Sequence, residues 1–177
     1  QSVALVLYSR ISNTQDKVYS QKLTVALLKI VFLCTALGAA ILLCLPAELY
    51  VWIFGDGFEA VQSVMLPLSA GIVVLSAGII LSSYFVGHGN TKIPVISSSI
   101  GLAVTILIGF YLIPKYGMAG AAITASLSYA SSVIYQLACF FREAKSLSFR
   151  DLLFSGADIS MISAELRTIL SAKQIQK

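Results

Sequence analysis

Few side chains in this 177-residue sequence could do chemistry in an apolar environment, and Lys29 is the clearest candidate. It lies beside Leu27, Leu28 and Ile30, near the start of a long apolar segment. An ionisable side chain at membrane depth is costly to bury, so a functional role is its default interpretation, and a cation there could attract an anionic group such as a diphosphate. The alternative is an anchor, because a lysine near the interface can extend its ammonium to the lipid head groups.

The single histidine, His88, is a weak candidate for metal binding. It lies between Gly87 and Gly89 in a predicted loop, with no second histidine in the sequence and no cysteine nearby. Protein zinc sites need three or four such ligands, so we interpret His88 as a solvated loop residue. The sequence also lacks the glycine-rich Lys-Ser/Thr phosphate loop. We therefore predict no catalytic residue, no metal and no cofactor, and hence no enzyme.

The composition places these residues in a membrane protein. The chain is 58% hydrophobic and 11% charged, with a mean hydropathy of +0.89. About 20 apolar helical residues cross a hydrocarbon core roughly 30 Å thick. Four segments satisfy that length, and they lack the alternation of outer-membrane strands. The sequence therefore predicts an all-α membrane protein with four transmembrane helices, over residues 30–52, 60–86, 93–113 and 117–141.

Basic residues divide unequally between the two sides of these segments, and short loops rich in lysine and arginine stay cytoplasmic. The loop between the first two segments is acidic, and the turn between the last two has one lysine. Both chain ends are therefore predicted to be cytoplasmic, in a multi-pass protein of the inner membrane, and a nucleic-acid partner is not expected. The basic residues assigned to the cytoplasm are Arg10, Lys17, Lys22, Lys29, Lys92, Arg142, Lys145 and Arg150.

Small residues recur at helical spacing in every segment. Lipid provides no hydrophobic force between helices, so close backbone approach through small residues has to hold them together. The alternative is that glycine and alanine are merely common in membrane helices. Pro67, inside the second segment, predicts a kink that is either static or a hinge. The predicted packing residues are Gly71, Gly78, Ser97, Gly101, Thr105, Gly109, Gly117, Gly120, Ala121 and Ala125.

Three regions follow from these patterns. Residues 1–22 resemble the end of a preceding helix and a cytoplasmic connection, residues 23–141 form a predicted four-helix transmembrane bundle, and residues 142–177 form a cytoplasmic tail with an amphipathic helix. The start of the chain, SVALVLYSRIS, is typical of the tail of an earlier apolar helix. We therefore interpret the chain as the C-terminal portion of a longer membrane protein.

Three motifs resemble a known transporter family. They are FGDGFEAVQSVMLPLSAG, GHGNTKIPVISSSIG and LIPKYGMAGAAITASLSY. Together they are similar to polysaccharide and lipid-linked oligosaccharide flippases of the O-antigen type, within the multidrug/oligosaccharidyl-lipid/polysaccharide exporter superfamily. The resemblance implies that the four helices are part of the C-terminal lobe of a twelve-to-fourteen-helix transporter working by alternating access. Its partners would be membrane lipids, a lipid-linked oligosaccharide and the remaining N-terminal lobe.

The sequence is also compatible with two other classes of function. One is a multidrug or toxin extrusion transporter of the same superfamily, and the other is a small four-helix membrane scaffold protein. The Tyr116-Gly117 entry into the last segment, followed by Gly120, Ala121 and Ala122, favours the flippase by resemblance.

The charge asymmetry predicts which positions face the outside. A single cysteine at Glu59 in a cysteine-free version of the protein should react with a membrane-impermeant thiol reagent added outside intact cells, whereas one at Thr91 should react only after the membrane is opened. Mass-tagging of each variant measures this directly. The opposite labelling pattern would overturn the predicted orientation.

Overall fold

The computed structural model describes residues 17–55 and 61–144. Within those two ranges it contains helices and no strand, which confirms the prediction of an all-α membrane protein. Three of the helices are long and apolar enough to cross a membrane. The helices are α1 (Lys17–Cys44), α2 (Ala47–Phe54), α3 (Val61–Gly87) and α4 (Lys92–Glu143).

The first predicted segment, residues 30–52, differs from the structure at both ends. Helix α1 begins at Lys17, inside the range 1–22 assigned to a connection, and ends at Cys44. Pro46 disfavours helical geometry in the residue before it and cannot donate a hydrogen bond, so the chain breaks there and resumes as the short helix α2. The Tyr50 hydroxyl of α2 donates to the carbonyl of Leu42 at 2.7 Å, which secures the break.

The third and fourth predicted segments belong to one element, α4, which folds back on itself. A straight helix of its 52 residues would extend about 78 Å, far beyond a bilayer. Gly117 interrupts it with φ 55° and ψ −130°, a backbone conformation that glycine adopts readily because it has no side chain. The first arm is residues 92–116 and the second arm is residues 118–143.

Two hydrogen bonds prove that these arms are antiparallel. The Ser128 hydroxyl donates to the carbonyl of Gly101 at 2.8 Å, and the Ser132 hydroxyl donates to the carbonyl of Ser97 at 2.9 Å. Moving forward along the second arm therefore means moving backward along the first. Near the turn, a Cβ atom at Gly120 would collide with the carbonyl of Leu112, so only glycine permits the sharp reversal.

Helix α3 lies at the centre, in contact with α1 on one side and with α4 on the other. The large buried side chains gather where α1 begins and where α3 and α4 end. The Tyr84 ring meets the rings of Phe85 and Phe140 edge-on, with centroids 5.3 and 5.0 Å apart. The buried cluster comprises Leu23, Val25, Ala77, Ile80, Leu81, Tyr84, Phe85, Val133, Phe140 and Ala144.

Large apolar side chains also cover much of the outside. Leu37, Ile41 and Trp52 are exposed on α1 and α2, and Phe110 is exposed on the first arm of α4. In a soluble monomer an apolar surface of this extent would be unusual. It fits a body whose surroundings are hydrocarbon or further helices.

Close packing at Gly101 predicts that a larger side chain there lowers the stability of the fold. Replacing Gly101 with leucine should destabilise the fold by about 1–3 kcal/mol or more, because the added atoms enter space filled by Ser132 and Ser128. Thermal unfolding in detergent measures the loss. Ala103→Leu is the matched control, since Ala103 is exposed on the same arm; equal losses for the two variants would contradict the packing account.

Candidate functional site

Lys29 lies inside the helical body. Its side chain is 5% exposed, and it lies about 18 Å along the axis from the start of α1. Ser20, Gln21 and Thr24 are also buried on this half of the helix. The Thr24 hydroxyl donates to the carbonyl of Ser20 at 2.7 Å, within its own helix. Helix α1 therefore buries polar groups and a lysine along its first half, whereas many of the apolar residues of its second half are exposed.

The burial of Lys29 could not be read from its position in the sequence. Because the apolar run was expected to start at residue 30, Lys29 looked like a residue at the membrane boundary. In the structure the helix starts at Lys17, so Lys29 follows three helical turns that are themselves largely buried. The signal available in the sequence was the apolar run from Leu23 to Leu28, interrupted only by Thr24.

A second polar site lies between α3 and the two arms of α4. The Ser82 hydroxyl donates to Oε1 of Gln136 at 3.2 Å, and Nε2 of Gln136 donates to the Ser97 hydroxyl at 2.6 Å. The Ser97 hydroxyl in turn donates to the carbonyl of Pro94 at 2.9 Å. These bonds connect α3, the second arm and the first arm in one series of hydrogen bonds. The series satisfies polar groups that would otherwise be costly to bury.

Beside this chain of hydrogen bonds is an open cavity of about 430 Å³, here called the polar groove. None of the described residues that line it is charged. Its polar lining includes Gln136 and Tyr129, neither of which the small-residue pattern selected, although a glutamine within an apolar stretch is a recognisable signal. The groove is lined by Leu75, Gly78, Ile79, Ser82, Ser83, Ser97, Ser98, Gly101, Ser128, Tyr129, Ser132, Val133 and Gln136.

The predicted packing residues fall into two groups. Gly71 and Gly78 face a neighbouring helix, where an added Cβ would meet Ser126 at 2.5 Å and Val133 at 2.8 Å. Gly109 faces the second arm of its own helix, where an added Cβ would meet Thr124 at 3.3 Å. Ser97, Gly101 and Gly120 lie at the approach between the arms of α4, as described above. These six residues lie where helices or arms come together.

The other four predicted packing residues lie elsewhere. Gly117 forms the turn, with nothing near its missing side chain. Thr105 and Ala121 are exposed, and Ala125 is half-buried. Thr105 donates to the carbonyl of Gly101 within its own arm, at 2.9 Å. Two small-residue stripes are interleaved in the second arm, and the one through Gly120, Thr124 and Ser128 faces inward.

Pro67 lies within α3, and its carbonyl accepts a hydrogen bond from the Ser126 hydroxyl of the second arm. Ser126 also donates to the carbonyl of Ala122 at 3.0 Å. The part of α3 around Pro67, which the sequence marked as a possible hinge, is therefore hydrogen-bonded to the second arm of α4.

We expected His88 to be a solvated loop residue, but its side chain is half-buried. Its Nδ1 lies 3.0 Å from the carbonyl of Tyr84, and its ring centroid is 4.4 Å from that of Tyr84. It lines a second cavity of about 360 Å³ with Lys17, Gln21, Tyr84, Asn90 and Glu143. Among the described residues, histidines, cysteines and carboxylates form no group of three that could hold a metal ion. The predicted tail helix lies outside the described residues.

Comparison with known proteins gives one family match and two curated relatives. Residues 1–174 match the family described as "Lipid II flippase MurJ". The chain is 29% identical over 135 residues to "Uncharacterized membrane protein YabM" of Bacillus subtilis (strain 168), covering 72% of this chain and 24% of that protein. It is 29% identical over 117 residues to "Capsular polysaccharide biosynthesis protein CapF" of Staphylococcus aureus, covering 64% and 29%.

The chain thus spans about a quarter of the length of these two relatives. No solved structure gives a significant match.

The bond between Ser126 and Pro67 predicts a measurable role in stability. Ser126→Ala should lower the unfolding free energy by about 1 kcal/mol, because the carbonyl of Pro67 loses its partner from the second arm. Thermal unfolding in detergent measures the change. Ser131→Ala is the control, since that hydroxyl bonds only within its own arm. An equal loss of stability in the control would contradict a special role for the contact between Ser126 and Pro67.

Proposed function

Because the chain belongs to the MurJ lipid II flippase family, we propose that it is part of a transporter that moves a lipid-linked oligosaccharide or polysaccharide precursor across the cytoplasmic membrane. Membership of this family supports transport of a lipid-linked precursor, and the saccharide class and the mechanism are likewise part of our proposal. The observation that carries the proposal is the buried cation, Lys29, within helices of high apolar content.

Lys29 supports this function through its charge and its depth. A lysine ammonium is a compact cation with three donors, and it suits the oxygen atoms of a diphosphate. Its burial within α1 favours a role in the translocation pathway over a role as an interfacial anchor. As the substrate crosses, its diphosphate would approach Lys29 while the lipid tail stays in the bilayer.

The chain would work as one portion of a larger protein. The matched regions make up 24% and 29% of the two relatives, so most of the substrate contacts would come from the remainder of the transporter, including an N-terminal lobe. We propose that α1, α3 and the two arms of α4 cross the inner membrane, with both ends in the cytoplasm. The transport cycle would be alternating access, in which two lobes rock about a central cavity.

Two saccharide substrates have specific support. The name of the Staphylococcus aureus relative refers to capsular polysaccharide biosynthesis, which favours an oligosaccharide or polysaccharide precursor. The family description refers to lipid II, which makes lipid II the second candidate. Both carry a diphosphate between lipid and sugar, so the proposed duty of Lys29 is common to the two.

The role of Lys29 predicts a charge-dependent effect on transport. With the full-length protein in proteoliposomes, Lys29→Gln should slow translocation of the lipid-linked saccharide by roughly tenfold or more, because a charged hydrogen bond contributes about 1.5–3 kcal/mol. Lys29→Arg should retain most of the rate. Lys22→Gln is the control, since Lys22 is exposed on the same helix, and an equal loss there would contradict a specific role for Lys29.

A deletion strain decides between the substrates. Lipid-linked saccharide and lipid II would each be assayed on both membrane faces, with complementation by the complete gene and by this 177-residue region alone. We expect one of the two precursors to accumulate on the cytoplasmic face of the deletion strain. Only the complete gene should restore its normal distribution between the two faces. Rescue by the region alone would contradict the partial-lobe proposal, and unchanged precursors with greater drug sensitivity would favour an extrusion transporter.

A further inference from the structure

The polar groove contains two hydroxyl groups that the fold does not use. The hydroxyls of Ser98 and Tyr129 line the groove, and neither has a hydrogen-bond partner among residues 17–55 and 61–144. The other five hydroxyls that line the groove each donate to a backbone or side-chain acceptor. In hydrocarbon, a polar group without a partner is costly, so these two call for a polar occupant.

The buried amide beside them adds further capacity. Gln136 is 5% exposed, and its amide already accepts from Ser82 and donates to Ser97. A primary amide can donate two hydrogens and accept two, so one donor and one acceptor position of Gln136 remain. The groove therefore offers a fixed amide and two free hydroxyls, presented by the two arms of α4.

The absence of charge among the groove residues restricts the ligand. Among the described residues that line the groove, no cation could balance the charge of a diphosphate. The groove instead combines an aromatic side chain, an amide and hydroxyls in a volume of about 430 Å³, large enough for a small ligand. A neutral group with many hydroxyls matches this set, because each hydroxyl can both donate and accept.

We propose that the polar groove is a binding subsite for a neutral, hydroxyl-rich head group, with Tyr129, Ser98 and Gln136 as the groups that contact it. The inference rests on the proposed function, under which the sugar of the transported lipid is the ligand. The head group of a membrane glycolipid has the same chemistry. The subsite is separate from Lys29, which lies on α1 and is assigned the diphosphate.

Full-length protein in nanodiscs tests this with three probes: lipid II, the same polyprenyl diphosphate without sugars, and a glycosyl diacylglycerol. Combining Tyr129→Phe with Ser98→Ala should weaken binding of lipid II about five- to tenfold. The sugar-free diphosphate should bind as before. These substitutions break no internal hydrogen bond of the described residues, so the fold should be retained, and an unchanged unfolding temperature checks this.

The matched controls are Tyr135→Phe and Ser99→Ala, which lie next to or near the groove residues in sequence but do not line the groove. They should leave all three affinities unchanged. If only the glycosyl diacylglycerol loses affinity in the double variant, the groove binds a membrane glycolipid and the assignment to transported sugar is overturned. If no probe loses affinity, or the sugar-free lipid loses as much as lipid II, the subsite is wrong.

The proposed function can fail separately in this experiment. Wild-type protein that binds neither lipid II nor the sugar-free diphosphate would contradict the transporter proposal. Binding of both lipids with affinities that Lys29→Gln leaves unchanged would contradict the proposed role of Lys29. A loss of glycosyl diacylglycerol binding in the double variant would then still identify the groove as a site for a hydroxyl-rich head group.

Discussion

Close approach between helix backbones is the interaction on which the described body depends. Lipid does not push apolar helices together as water does, so packing at short range and hydrogen bonds between helices must supply the association. Here the shortest approaches occur at Gly71, Gly101 and Gly120, where an added Cβ atom would meet atoms of a neighbouring helix or arm. Serine hydroxyls use the same proximity, since they can reach carbonyls across the interface only when the backbones are near.

The reversal at Gly117 and the seam between the arms of α4 depend on each other. The turn brings residues 128 and 132 of the second arm to residues 101 and 97 of the first. Those hydrogen bonds then fix the register of the arms. Gln136 bonds to Ser97 across the same seam, and the polar groove lies beside it. Packing and candidate site therefore share one origin.

The polar groups that we propose to contact the substrate lie in two places with different chemistry. Lys29 and its buried neighbours Gln21 and Thr24 belong to α1, whereas the uncharged hydroxyls and the amide of Gln136 belong to α3 and α4. A lipid-linked saccharide has the same division, with charge at the diphosphate and neutral hydroxyls on the sugar. This correspondence is the physical basis for our proposal that each place contacts a different part of a lipid-linked substrate.

The sequence alone determined the fold class and the approximate position of α3 and of both arms of α4, because long apolar runs and small-residue spacing are local properties of the chain. It did not locate the break at Pro46, the start of α1 at Lys17 or the burial of Lys29. Spacing also could not decide between the Gly117, Ala121, Ala125 stripe and the inward one through Gly120, Thr124 and Ser128. The reason is that neighbouring stripes on a helix are equivalent until a second helix covers one of them, and only the tertiary structure supplies that neighbour.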